Sequence, residues 1–216
     1  MRLGGTTRSR WQFQNRFVGG LCEAAAGVAD PSYSHPAACR LSLFPTAKYI
    51  AVADRYHVRL SKDYLVFSAG HFITYNRDVC ERLHGHNYRV TAEVHGPLDE
   101  NHYVVDFIAL REVLKTIVDE LDHHMLLPTR HPFIRVVADD REVVATCGER
   151  RWVFPRGDCV LLDVPNTTSE LLARHIAERL AGDLQARTGS RPERIRVEVD
   201  ECFGNVAVCE LDSADD

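Results

Sequence analysis

Cys80-Glu81-Arg82-Leu83-His84-Gly85-His86-Asn87-Tyr88-Arg89-Val90-Thr91-Ala92-Glu93-Val94-His95 begins as a cluster of metal- and proton-handling side chains and ends as a strand. From Asn87 to His95, Tyr88, Val90, Ala92 and Val94 fall on one face and Arg89, Thr91, Glu93 and His95 on the other. That period of two is the pattern of a strand with one buried face. His84 and His86 are two apart, so an extended backbone through them projects both rings from the same face of a sheet. With His71, three imidazoles, a thiol and a carboxylate lie within sixteen residues. Neutral imidazole suits zinc, and three histidines without an evident fourth protein ligand fit a catalytic zinc that keeps one position open. Cys80 stands alone, near enough to work beside a metal without binding it.

The rest of the chain extends this picture in both directions. Upstream, Tyr56–Leu60 alternates and Tyr64–Phe67 runs into His71. Downstream, Phe107, Leu110, Leu114, Ile117, Val118 and Leu121 recur at three and four residues. They predict an amphipathic helix over 106–121 with Asp106 capping its first amides. A second helix is predicted from Thr167 to about Arg187, where Thr167-x-x-Glu170 has capping-box spacing. Between the helices, Phe133–Val137, Val143-Val144, Trp152–Phe154 and Cys159–Leu162 read as short strands, and Ile195–Val199 with Val206–Leu211 as a closing hairpin. The order predicts an α+β fold, an antiparallel sheet with two helices on one side.

With 216 residues and 45% hydrophobic content, the chain suits one domain with a substantial core. A net charge of −5 gives no general attraction to nucleic acid or to an anionic membrane. Seven cysteines form no Cys-x-x-Cys pair, and their odd number fits a reducing, cytoplasmic interior. No apolar run nears the roughly 18 residues of a membrane span. Residues 1–50 carry six basic against two acidic side chains and show no sustained periodicity. They are expected to lie outside the fold, as a disordered extension, a start assigned too far upstream or a transit peptide. Residues 51–216 are expected to form a single domain.

Several short motifs, in order, resemble the family of 6-pyruvoyl-tetrahydropterin synthases and 6-carboxytetrahydropterin synthases. They are Phe67-Ser68-Ala69-Gly70-His71-Phe72, Cys80 to His86, Val105-Asp106-Phe107, Leu121-Asp122-His123, Asn166-Thr167-Thr168-Ser169-Glu170 and Glu201. The resemblance spans about Tyr56 to Leu211. It implies a T-fold whose subunits associate into a barrel, commonly a hexamer of two stacked trimers. It also implies zinc held by His71, His84 and His86, with Cys80 as the proton-abstracting thiol and Asp122 with His123 as a second acid/base pair. Glu201 would anchor the pterin through a bidentate contact, and Thr168 would meet the pterin edge. The segment from Pro128 to Pro165 is longer than in the compact bacterial form, and Asn166-Thr167-Thr168 replaces the frequent Asn-Pro-Thr.

The resemblance implies 7,8-dihydroneopterin triphosphate as substrate. Cys-x-x-x-His-Gly-His is similar to the 6-carboxytetrahydropterin synthases of the 7-deazaguanine (queuosine) route. Glu-x-x-His-Gly-His, one residue on, is similar to variants that release 6-hydroxymethyl-7,8-dihydropterin for folate, with Glu81 sharing or replacing the base role. Pyruvoyl-tetrahydropterin synthesis and a pterin-binding module without catalysis complete the alternatives. Arg77 and Arg82 are phosphate candidates by proximity in sequence.

Overall fold

The alternating stretch after His86 forms the middle of the sheet. In the computed structural model, which describes residues 54–202 and 204–213, it is β4 (His84–Gly96). The predictions for residues 1–50 lie outside the described residues. The two upstream runs join into one strand, β1 (Tyr56–His71), through a register irregularity, and a short antiparallel pair, β2 (Thr74–Tyr75) and β3 (Val79–Cys80), links it to β4. Ser61 pairs with Thr91 and Val66 with Arg89, so four β1 residues oppose one on β4. The bulge reverses the parity of β1. Leu60 before it and Leu65, Phe67, Ala69 and His71 after it are therefore all buried.

β4 pairs on its other side with β10 (Arg194–Glu201), and β10 pairs with β11 (Asn205–Asp212), all antiparallel. The predicted antiparallel sheet is thus present in these four strands. Beyond β1 it is extended in parallel by β5 (His124–Pro128) and then β9 (Cys159–Leu162). β5 has no period of two, because Met125, Leu126, Leu127 and Pro128 are all buried. A parallel strand covered on both faces reads as a continuous apolar run.

The helices α1 (Phe107–Leu121) and α2 (Ser169–Thr188) cover one face of the sheet. Leu110, Leu114, Ile117, Leu172, Ile176 and Leu180 meet Phe67, Tyr88, Val90, Val197 and Val199 there. As predicted, Asp106 caps α1, its carboxylate accepting from the Ile108 amide at 2.7 Å. The capping box predicted for α2 does not form. Thr168 is the N-cap and makes no side-chain capping bond. Thr167 is committed elsewhere: fully buried, its hydroxyl donates to the Phe72 carbonyl at 3.2 Å.

The other sheet face is polar at its centre, with Arg59 bonded to Glu93 (2.5 Å) and Glu198 (2.8 Å), and Arg196 to Glu198 (2.7 Å). The long segment after Pro128 folds into its own antiparallel sheet of β6 (Arg135–Ala138), β7 (Glu142–Cys147) and β8 (Arg150–Pro155). It closes a second core around Phe72, Met125, Leu127, Val143 and Cys147, with Trp152 stacked on Phe72 at 4.3 Å between ring centroids. Among the described residues no helix is long and apolar enough to cross a membrane.

Candidate functional site

The end of the β1–β4 ladder gathers the predicted histidines. His71 pairs directly with His84 and Ala69 with His86, so the three rings share the face that carries Tyr88 and the core. Gly85 makes this approach possible: a Cβ there would lie 2.9 Å from the Ala69 carbonyl oxygen. At the end of β10, Glu201 pairs with Tyr88 and comes to the same place. One ligand atom each from His71, His84, His86 and Glu201 lie within 4.8 Å of one another, a group that could hold a metal ion.

Two tautomers in this group are set by carbonyls. His71 Nδ1 is 2.8 Å from the Thr167 carbonyl oxygen, and His84 Nδ1 is 2.9 Å from that of Arg82. A carbonyl only accepts, so both Nδ1 atoms carry the proton and both Nε2 atoms present lone pairs, that of His71 within reach of the Tyr88 hydroxyl. Those two Nε2 atoms face each other at 3.2 Å. Two lone pairs at that distance repel unless a cation or proton lies between them, and carbonyl-oriented imidazoles are the usual outer support of a metal site. The chemistry of the donor set therefore fits a zinc ion. Burial lowers the His71 pKa, and its neighbours His84 and His86 add to the effect, against the raising influence of Thr167 and Glu201. It thus favours the neutral ring that a metal requires.

The surroundings divide the remaining predicted residues. A cavity of about 600 Å³ is lined by His71, His84, His86 and Glu201 together with Glu81, Thr168, Ser169 and Glu170. Glu201 lies 2.9 Å from His86 Nε2 and accepts from the Ser169 hydroxyl at 2.6 Å. Glu81 stands 3.9 Å from His84 Nδ1, and one of its carboxylate oxygens is buried without a hydrogen-bond partner. Cys80 is not among the lining residues. It packs into the second core, where burial and a hydrogen bond with Cys147 push its thiol up to about 12 against the opposing pull of Arg150.

Asp122 and His123 form a close pair, with His123 Nδ1 2.8 Å from Asp122 Oδ2. They also bracket one residue of β1: Asp122 accepts from the Ser68 amide, and the His123 amide donates to the Ser68 carbonyl, each at 2.7 Å. Burial works to raise the Asp122 pKa, but the Ser68 amide and His123 outweigh it and hold the carboxyl below its ordinary value. His123 is 82% exposed and lines a different cavity, with Ser68, Gly70, Gly85 and Asn87. Those four residues alternate with the inward ones, and Ala69 and Met125 line the cavity as well, so it draws on residues of both sheet faces. It shares His84 and His86 with the first.

Sequence reading did not include Ser169, the carbonyl of Thr167 or the hydroxyl of Tyr88, which lies 3.0 Å from His71 Nε2. Thr167 and Ser169 stood in the Asn166–Glu170 motif without a role of their own, and Tyr88 lies two residues after His86 on the same face. Burial, then Glu201 and Glu81, push the Tyr88 phenol far up, so it remains a neutral donor.

Solved proteins share this fold. Plasmodium falciparum 6-pyruvoyl tetrahydropterin synthase superposes with a TM-score of 0.68 at 26% identity, covering 74% of this chain and all of that one. That places the chain in the T-fold class of pterin-processing enzymes. It belongs to the 6-pyruvoyl tetrahydropterin synthase family, whose profile matches residues 60–212. The family's 6-carboxy-5,6,7,8-tetrahydropterin synthase of Haemophilus influenzae is 29% identical over 138 residues, 61% of this chain and 88% of that protein. A Methanocaldococcus jannaschii protein provisionally given the same name is 31% identical over 144 residues, 66% of this chain and 88% of its own length.

Proposed function

We propose that this protein is a zinc-dependent lyase that converts 7,8-dihydroneopterin triphosphate and one water to 6-carboxy-5,6,7,8-tetrahydropterin, with release of acetaldehyde and triphosphate, in the 7-deazaguanine (queuosine) route. The observation that carries the proposal is the convergence of three imidazoles and Glu201 beside a cavity of about 600 Å³. The names borne by its bacterial and archaeal relatives support the product.

His71, His84 and His86 hold the zinc, which when bound supplies Lewis acidity toward the hydroxyls of the substrate side chain. Glu201 accepts hydrogen bonds from the pterin's amino edge, and Ser169 orients its second oxygen. Thr168 lines the same pocket beside that edge. Asp122 fixes the tautomer of His123 as the second acid/base pair. A pair that lines a separate cavity suits a site shared between subunits, as a barrel of two stacked trimers would supply. Residues 51–216 constitute the single domain of this reading, and a cytoplasmic setting agrees with five described cysteines that are all free.

A second reading rests on one observation: Glu81 lines the metal cavity, whereas Cys80 is turned into the core beside Cys147. A carboxylate is already a base at neutral pH, and a thiol with a raised pKa is not. Proton abstraction by Glu81 favours retro-aldol cleavage to 6-hydroxymethyl-7,8-dihydropterin.

Mass-spectrometric identification of the product from the zinc-loaded protein, alongside Cys80→Ala and Glu81→Ala, separates the two. The carboxylated product, lost in Cys80→Ala, supports the first reading. The hydroxymethyl product, lost in Glu81→Ala, supports the second. No product from any dihydropterin would reduce the protein to a pterin-binding module.

A further inference from the structure

The inserted β6–β7–β8 sheet brings arginines to the edge of the metal cavity. Arg150 and Arg151, the first residues of β8, line a cleft of about 380 Å³ with Arg82, Leu83 and Trp152. No carboxylate lines it. Among the described residues none of these three arginines forms an ion pair, whereas Arg59, Arg174, Arg179 and Arg194 each have a carboxylate partner. Guanidiniums do not lose their charge at any physiological pH, so three in one cleft repel one another until an anion arrives.

We propose that this cleft seats the triphosphate chain of the substrate, so that the inserted sheet is part of the substrate site; the inference rests on the pterin triphosphate reading above. Contacts run continuously from the pterin anchor to the cleft. Glu201 lies 2.9 Å from His86, and Glu81 lies 3.9 Å from His84. Arg150 then donates to the Glu81 carbonyl at 2.5 Å. Glu81 and His84 face the metal cavity while Arg82 and Leu83, between them in sequence, line the cleft. A pterin held at Glu201, with its side-chain hydroxyls at the histidines, directs its phosphates across this short segment. The cleft is braced for the role. Trp152 stacks on Phe72, and β8 is paired along its length with β7. Guanidinium forks match phosphate oxygens in pairs, which makes arginine well suited to this seat.

The test uses inorganic tripolyphosphate and phosphate-free neopterin as separate probes of the zinc-loaded protein, with Arg82→Ala, Arg150→Ala, Arg151→Ala and Arg150→Lys. Tripolyphosphate is expected to compete with the substrate. Its affinity should fall ~10-fold for each alanine variant, since each removes charge-assisted hydrogen bonds, and should weaken with added salt. The KM for 7,8-dihydroneopterin triphosphate rises in the same variants, while neopterin affinity is unchanged. Arg150→Lys retains the charge and should lose less than Arg150→Ala. The proposal is overturned if tripolyphosphate binds these variants as it binds the wild type, or binds without competing with substrate. Equal weakening of neopterin would show a general disturbance and also overturns it. Failure of the pterin reading looks different: neither neopterin nor dihydroneopterin triphosphate binds, while tripolyphosphate still does.

Discussion

Gly85→Ala tests whether the metal group depends on the close approach of β1 and β4. The added Cβ would sit 2.9 Å from the Ala69 carbonyl oxygen and 3.6 Å from the Gly70 Cα, all backbone that no rotamer change can move aside. Relief to an ordinary contact of 3.4 Å requires the strands to part by about 0.5 Å at the His71–His84 and Ala69–His86 pairs. Overpacking of this kind costs ~1–3 kcal/mol, offset by ~0.4–1 kcal/mol from the reduced freedom of alanine in the unfolded chain. A net loss of about 1–2 kcal/mol lowers the melting temperature by ~2–8 °C for a chain of this size. The separation also moves His84 and His86 relative to His71, and disturbed support of metal ligands typically costs ~10–100-fold in affinity. Gly96→Ala is the control in the same strand, because its Cβ would meet nothing closer than 3.8 Å. Zinc affinity by chelator competition and thermal melting of both variants check the prediction. If Gly85→Ala binds zinc and melts like Gly96→Ala, the close approach is not what shapes the site.

Three further outcomes are expected. Glu201→Gln should retain zinc near stoichiometry by metal analysis while the KM for the pterin rises at least tenfold; loss of the zinc instead would make Glu201 a metal ligand rather than the pterin anchor. Thr167→Val removes the buried bond to the Phe72 carbonyl. It should cost ~1–3 kcal/mol in chemical denaturation and weaken zinc binding through the neighbouring His71–Thr167 contact. The third concerns acid. Burial works to raise the Glu93 pKa, but Arg59 and Arg196 outweigh it and hold the carboxyl below its ordinary 4.5. A depressed carboxyl stabilises the fold above its unfolded pKa, and that contribution is lost as pH falls through the folded value. The melting temperature should therefore drop below about pH 4.5, and Glu93→Gln should lose less over that window.

Elements with one exposed face were legible in the sequence, because solvent imposes a period on them. The alternation of Asn87–His95 predicted β4, and the three-and-four spacing from Phe107 to Leu121 predicted α1 with its Asp106 cap. β5 was not legible: four successive buried residues carry no period. The bulge in β1 also lay beyond reach, since Tyr56–Leu60 and Tyr64–His71 each alternate correctly and only the pairing with β4 shows them to be one strand. The capping box failed for a different reason. Thr167 had the right neighbour in Glu170, but its hydroxyl and carbonyl were claimed by Phe72 and His71, nearly a hundred residues earlier.

The site divides along the same line. His84-Gly85-His86 determines by its spacing alone that two imidazoles share a face, and the ordered motifs from Phe67 to Glu201 determine the family. Those are short-range facts, set by the two-residue repeat of an extended chain and by covalent order. Only the tertiary structure decided that His71 meets the pair across the ladder, that Glu201 completes the group from β10, and that Thr167 fixes a tautomer. Adjacent residues parted there too. Cys80 and Glu81 are neighbours in sequence, yet packing against Cys147 draws one side chain into a core while the other faces the metal cavity. Cys80 ends a two-residue strand and Glu81 begins the link to His84, and what waits on each side is supplied by distant segments of the chain.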